Sequence, residues 1–226
     1  MSGLRLRAID YVQYRRLFIS EAHTVKDARR LFHKHHQLAH LAVVSSEGRY
    51  VAFLSRRSLR NNPPDRPIKE IADYTFSPLS AQATIYEAIW KMEQDRVLEM
   101  PVVSSDGIYM GLLTPRGIIR WWAQFGAVHE PGSVLVIDSD LHSYSLTEIA
   151  QCLESDGIRI LWVSLLSHSS DVRRVFVVLK VNSIYLSRSI ALLERKGYRV
   201  VAVYGDAAME LQAQEQLRAL LRYLDI

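Results

Sequence analysis

One block of sequence occurs twice in this chain, and it restricts the fold more than any other feature. The first copy runs Thr24–Ala28 (TVKDA), His40–Gly48 (HLAVVSSEG) and Tyr50–Ser55 (YVAFLS). The second runs Thr84–Ala88 (TIYEA), Glu99–Gly107 (EMPVVSSDG) and Tyr109–Thr114 (YMGLLT). The spacing is 60 residues at Thr24/Thr84 and 59 at Ala42/Pro101, so one residue separates the copies in length. A period of this size means one supersecondary unit built twice. Each copy predicts a Thr-capped helix (Val25–His36, Ile85–Asp95) and a buried strand (Leu41–Val44, Pro101–Val103). A turn closing on Gly48 or Gly107 follows, then a second strand (Tyr50–Leu54, Tyr109–Leu113) and a short helix after Ser55 or Thr114.

The flanking sequence completes the outline. Ala8–Ile19, apolar at Ile9, Val12, Leu17 and Phe18, is expected to be a short helix leading into the first copy. Asn61–Pro67 holds three prolines in five residues and must be a loop. Ile68–Tyr74 offers a helical turn before the second copy. Ile118–Phe125, with Trp121 and Trp122, closes that copy, the aromatics reading as core or interface rather than a ligand platform. Ala127–Gly132 is a linker. Beyond it come a strand (Ser133–Asp138), a helix (Ser145–Ser155) with Ser145 and Glu148 spaced as a capping box, and strands Ile158–Leu166 and Val172–Val181. A helix (Ile184–Lys196) stopped by Gly197 and a strand (Tyr198–Tyr204) finish the βαββαβ order, which is the ferredoxin-like arrangement. Ala207–Leu224 is an amphipathic helix that packs on its own domain or on a partner subunit.

The fold class is therefore α/β (α+β). No apolar run approaches the ~20 residues of a membrane span. Residues 1–20 carry Arg5, Arg7, Arg15 and Arg16 without a continuous apolar core, so no secretory signal is read and the expected compartment is the cytoplasm. The net charge is +4, with arginines in scattered pairs such as Arg29-Arg30 and Arg56-Arg57. That scatter suits a solvated surface and an anionic small molecule better than nucleic acid. Cys152 is the only cysteine, which excludes an intrachain disulfide and a Cys-based zinc site. His33, His36 and His40 read as a solvated face rather than metal ligands, because no carboxylate completes the set. No nucleophile elbow, P-loop, paired-carboxylate site or G-x-G-x-x-G occurs, so no catalytic activity is expected.

The pattern T-h-x-x-A … h-P-V-V-x-x-x-G-x-x-x-G-x-h-T resembles a tandem pair of CBS (cystathionine-β-synthase-type) domains, or Bateman module. The second copy matches more closely; the first has Ala42 for the Pro and Ala52 for the second Gly. The resemblance implies a pair over residues 1–127, with repeats at about 8–60 and 68–125, and a cleft for AMP, ADP, ATP or another adenosyl ligand. It further implies a Ser or Thr at the end of the second strand that contacts ribose or phosphate, here Ser55 and Thr114. An Asp three residues later would grip the ribose hydroxyls, but those positions hold Ser58 and Gly117. What remains is Ser55-Arg56-Arg57-Ser58 and Thr114-Pro115-Arg116-Gly117, hydroxyl and guanidinium donors suited to phosphate. His40, before the family's Leu-Pro position, joins the candidate ligand contacts. Arg57 and Arg116 occupy one repeat position and read evenly as ligand donors or as surface arginines paired with acids.

Element order after the linker, over residues 131–205, resembles an ACT-like domain, leaving 206–226 as a C-terminal helix. A CBS pair followed by such a domain is similar to bacterial proteins of the acetoin-utilisation B type. Amino-acid-binding members have D-x-x-x-G-x-L after the first strand. Here Asp140 fits, but Tyr144 stands at the Gly position and fills the space for an amino acid. The expected function is a non-catalytic regulatory protein, a homodimer, that senses a phosphorylated and adenine-containing ligand for a regulated partner, with no cofactor required. The alternative is an interaction scaffold with degenerate sites.

Overall fold

Two threonines 60 residues apart open equivalent helices. The computed structural model describes residues 5–205, and the chain divides into two compact units between Trp122 and Ala123. In the first unit Thr24 caps α1 (Val25–Lys34) and Thr84 caps α2 (Ile85–Gln94). The carboxylates of Asp27 and Glu87 each accept from the backbone N–H and the hydroxyl of their threonine, closing a capping box at both starts.

Each copy then builds the same three-stranded sheet. Strands β1 (Ile19–Ser20), β2 (His40–Val44) and β3 (Tyr50–Ser55) form one. Strands β4 (Leu79–Ser80), β5 (Met100–Val103) and β6 (Tyr109–Leu113) form the other. In both, the short strand runs parallel to the central one and the hairpin is antiparallel. Even the irregularity repeats, with a register shift after Val43 and after Val102. Gly48 and Gly107, with φ of +81° and +78°, turn both hairpins through a conformation that side chains resist. The buried strand residues Leu41, Val43 and Leu54 pack on Val25, Ala28 and Phe32 of α1 in a core that also takes in Tyr109 and Leu112 of the second copy.

The copies diverge at their ends. Thr114 leads into α3 (Pro115–Phe125), a helix of 11 residues, whereas Ser55 leads only into one 3₁₀ turn at Arg57–Leu59. Residues 8–19 are likewise not a helix: one 3₁₀ turn (Ala8–Tyr11) gives way to extended chain at Val12. The cause is tertiary. Gln13 and Leu112 exchange both backbone hydrogen bonds (2.7 and 2.8 Å), so the segment is held as an edge against β6.

The second unit is a single antiparallel sheet under two helices. Strands β7 (Ser133–Asp140), β8 (Ile160–Ser167), β9 (Arg174–Val181) and β10 (Arg199–Tyr204) pair in the order β10-β7-β9-β8, with α4 (Leu146–Glu154) and α5 (Ser187–Arg195) between them in sequence. This is the ferredoxin-like topology. Strand β9 alternates strictly, Val175, Val177, Leu179 and Val181 being buried against Ile149, Leu153 and Leu193. The expected capping box at Ser145 is only half made. Ser145 Oγ accepts from Glu148 N–H, but Glu148 turns to Tyr198 Oη (2.9 Å), which accepts the Ser145 N–H in its place. Cys152 is buried in the same core, and burial pushes its thiol pKa up. The helix expected at 207–224 lies outside the described residues.

Candidate functional site

Reciprocal contacts across an approximate twofold axis join the two copies. Tyr50 N–H donates to Gly107 O (3.0 Å), and Tyr109 N–H donates to Gly48 O (2.9 Å). The phenols follow suit, Tyr50 Oη reaching Phe76 O and Tyr109 Oη reaching Leu17 O. Burial pushes both phenols well above the usual tyrosine range. Away from the hairpin tips, the axis passes between His40 and Glu99, which hold the same repeat position. His40 Nδ1 lies 2.9 Å from Glu99 Oε2, and Glu99 Oε1 accepts from Ala39 N–H (3.1 Å). Glu99 is 1% exposed.

Two related cavities flank this pair. The larger, about 500 Å³, is lined by Gln13, Gln37, Glu99, Thr114 and Arg116, with His36 and Leu98 among its other walls. The smaller, about 290 Å³, is lined by His40, Ser55, Ser58, Asp73 and Asp95 and by the apolar Phe53, Ile71, Phe76 and Val97. Gln13 and Asp73 are structural equivalents: Asp73 exchanges both backbone bonds with Phe53, as Gln13 does with Leu112. Their chemistry differs, so the cavities do too.

In the larger cavity the Thr114 hydroxyl donates to Gln13 Oε1 (2.9 Å), and Arg116, exposed and without an ion-pair partner among the described residues, stands in the first turn of α3. A helix N-terminus with a hydroxyl and a guanidinium suits an anion. In the smaller cavity His40, Phe53 and Phe76 stack in a row, with centroids 4.8 and 4.3 Å apart. Its acids are engaged: Asp95 pairs with Lys91 (2.9 Å), and Asp73 accepts from the hydroxyl and N–H of Thr75, which hold its carboxyl below the usual range. Among the described residues no arginine or lysine lines it.

The expected site residues divide accordingly. Thr114 and Arg116 reach the larger cavity; His40, Ser55 and Ser58 reach the smaller. Ser58 Oγ donates to Ser55 O (2.8 Å), and Ser58 N–H donates to Ser55 Oγ (3.0 Å). Arg56 departs from expectation. It turns from the cleft to the end of α1, where its Nη2 donates to the carbonyls of Phe32, His35 and His36 (3.1, 3.2 and 2.9 Å) and its guanidinium covers the Phe32 ring. Free carbonyls at a helix end attract a cation, and that outcompetes the cleft. Arg57 is exposed and lines neither cavity, because the 3₁₀ turn carries it outward.

Gly117 is no simple loss of the Asp that the resemblance to CBS domains implies. A Cβ there would lie 2.6 Å from Tyr11 O and 3.0 Å from Leu113 Cδ1. The N-terminal segment occupies the space of the side chain. Gln13, Asp73, Asp95 and Glu99 escaped sequence reasoning. Glu99 alone had a signal, an acid standing opposite His40 in the repeat alignment. Among the described residues no group of three metal-ligating side chains forms, and no helix is long and apolar enough to cross a membrane.

In the second unit, Asp140 Oδ1 accepts from His142 N–H (2.9 Å) and Tyr144 packs against the helix–sheet core.

The family model of the CBS domain matches residues 10–65 and 68–124, together half of the chain's 226 residues. No curated protein matches. Among solved structures, the chain is similar to a putative acetoin utilization protein from Vibrio cholerae, with 18% identity over 57% of this chain and 100% of that one and a TM-score of 0.49. It is also similar to the CBS pair domain of a putative Mg2+ transporter from Shewanella oneidensis (22% identity, 55% and 72% covered, TM-score 0.49). A CBS domain pair/ACT domain protein from Thermotoga maritima gives 13% identity, 53% and 98% covered, and a TM-score of 0.48.

Proposed function

The chain belongs to the CBS-domain family, and on that premise we propose that it is a non-catalytic regulatory protein that senses a small phosphorylated ligand in the larger cavity, an adenine nucleotide being the class to test first. The observation that carries this reading is the asymmetry after the strand-end hydroxyls. Only Thr114 is followed by a full helix, and only there does an unpaired arginine, Arg116, line the cavity. Phosphate favours that combination of helix N-terminus, hydroxyl and guanidinium. The smaller cavity, with Asp73 and Asp95 and among the described residues no basic side chain except His40, offers phosphate no guanidinium or ammonium. A cavity of about 500 Å³ also lies within the range of roughly 300–1,000 Å³ usual for small-molecule sites.

The unit that follows is taken as ACT-like on its βαββαβ order. Tyr144, packed on the core at the position of the family's Gly, argues against an amino acid in its first loop. A homodimer in the cytoplasm, acting on a regulated protein, completes the proposal.

A second reading, a ligand-free interaction scaffold, draws on Gly117 and Gln13: the first leaves no room for the ribose-binding Asp, and the second already engages Thr114. Thermal unfolding of the protein against AMP, ADP, ATP, S-adenosylmethionine, cyclic dinucleotides and amino acids separates the two. At a hundredfold excess over Kd a ligand stabilises by about 2.7 kcal/mol. Sensing predicts a shift with one nucleotide that is lost in Arg116→Ala and kept in Arg57→Ala. A flat response across the panel selects the scaffold.

A further inference from the structure

Arg56, which turns away from the cleft, meets two other arginines, Arg29 and Arg60. A third cavity, about 340 Å³, lies between α1 and the 3₁₀ turn after Ser55, lined by Arg29, Phe32, His33, His36, Arg56, Leu59 and Arg60. No carboxylate lines it, and none of its three arginines has an ion-pair partner among the described residues. Phe32 and Leu59 form an apolar floor, both 3% exposed.

Two of the guanidiniums are already fixed. Arg29 Nη2 donates to Leu59 O (2.9 Å) and Asn62 O (3.0 Å), while Arg56 Nη2 donates to the three carbonyls at the end of α1. Each is anchored through Nη2, and its Nη1 makes no hydrogen bond among the described residues. The buried Nε of Arg56 has no acceptor among the described residues. Arg60 is exposed, and its side chain makes no hydrogen bond or ion pair among the described residues. Donors fixed before binding lose little freedom when an anion arrives.

The second copy lacks this arrangement. At the equivalent positions it has Ile89 for Arg29, Pro115 for Arg56 and Ile119 for Arg60. There α3 continues as a helix, where the first copy leaves after a single turn. The basic cavity therefore belongs to the first copy alone; it shares the wall residue His36 with the larger paired cavity, but none of its arginines lines either paired cavity.

We infer that this cavity binds a small organic anion: a phosphate or carboxylate held at the arginine rim, on an apolar body no larger than a ring or a branched chain. The cationic rim without counter-ions specifies the charge, the Phe32–Leu59 floor specifies the apolar body, and the volume limits its size.

Phenyl phosphate titrated into the full chain, followed by ligand-observed NMR and calorimetry with inorganic phosphate as comparator, tests the inference. The expected result is saturable binding at least about fivefold tighter than inorganic phosphate, since an apolar ring gains about 1 kcal/mol or more on burial. Arg60→Ala should weaken it at least fivefold with an unchanged Tm, Arg29→Lys less, and Arg57→Ala within twofold. Absence of saturable binding overturns the site, as does equal loss in Arg57→Ala, which would mean diffuse charge attraction. Loss in Arg116→Ala with Arg60→Ala unaffected also overturns it, by moving the anion to the cleft. A nucleotide response that fails in Arg116→Ala bears only on the cleft, so the two readings fail separately.

Discussion

His40 and Glu99 occupy the same position in the two repeats and bond to each other, Nδ1 to Oε2 at 2.9 Å, on the axis that relates the copies. His40 lines the smaller cavity and Glu99 the larger, so the pair is the wall between them. In most twofold arrangements an acid on the axis meets its own copy and repels it. Divergence of the repeats to an acid and an imidazole turns that repulsion into a bond.

Glu99→Ala is expected to destabilise the protein by about 3 kcal/mol, because it leaves Ala39 N–H and the imidazole without their acceptor in a closed site. His40→Ala should cost less, since Glu99 keeps the Ala39 bond. Urea denaturation of both single variants and the double variant gives their coupling, expected at about 1–2 kcal/mol with m-values unchanged. Strict additivity would show that the pair is not an energetic link.

Restoring the family's carboxylate should fail at one repeat and succeed at the other. Gly117→Asp forces a side chain against Tyr11 O and should lower stability by about 2 kcal/mol or more. Gly117→Ala should show most of that loss, which isolates the Cβ as the cause. Ser58→Asp, at a half-exposed cavity wall, should fold with a loss under about 1 kcal/mol. Thermal scans of the three variants suffice to compare them.

Acid sensitivity follows from the caps. The Thr24 N–H and hydroxyl hold the Asp27 carboxyl below its ordinary value, and Thr84 does the same to Glu87. A carboxyl depressed by folding contributes stability above its unfolded pKa, and that contribution is lost as pH falls through the folded value. Asp27→Asn should therefore cost roughly 0.5–1 kcal/mol at pH 7, and its difference from wild type should shrink as pH falls below about 4. Denaturation midpoints at pH 7, 5 and 3 show whether the gap closes; a constant gap would remove the carboxylate from the account.

Cys152 should resist modification. The residue is 2% exposed, and burial shifts its thiol pKa upward. An aromatic disulfide reagent at pH 8 should label it at the rate of global opening, and full labelling within seconds in native buffer would contradict its place in the core.

How far the chain could be read in advance depended on distance along it. The capped helices, the hairpins turning on Gly48 and Gly107 and the βαββαβ order were legible because propensity, periodicity and turn chemistry act over a few residues. The exceptions show the limit. Ala8–Ile19 has helical periodicity, yet Gln13 is drawn into extended chain by Leu112, almost a hundred residues away. The Ser145 box is half made because Tyr198, 53 residues further along the chain, takes the place of Glu148.

The site was legible in outline only. Thr114 and Arg116 stand at one cavity as a reading of the repeat suggests, whereas Arg56 does not, and no local signal distinguishes an arginine that caps a helix end from one that awaits an anion. Local sequence specified a twice-built unit, the order of its capped helix and hairpin, and the absence of a carboxylate at Ser58 and Gly117. What those positions face follows from contacts between segments distant in the chain. Packing brought Tyr11 O onto Gly117, set Gln13 against Thr114 and joined His40 to Glu99. The physical reason is that backbone preferences are settled between neighbours. Charge and space in a cavity are settled by residues about 60 or 100 positions apart, which meet only when the two copies close on their common axis.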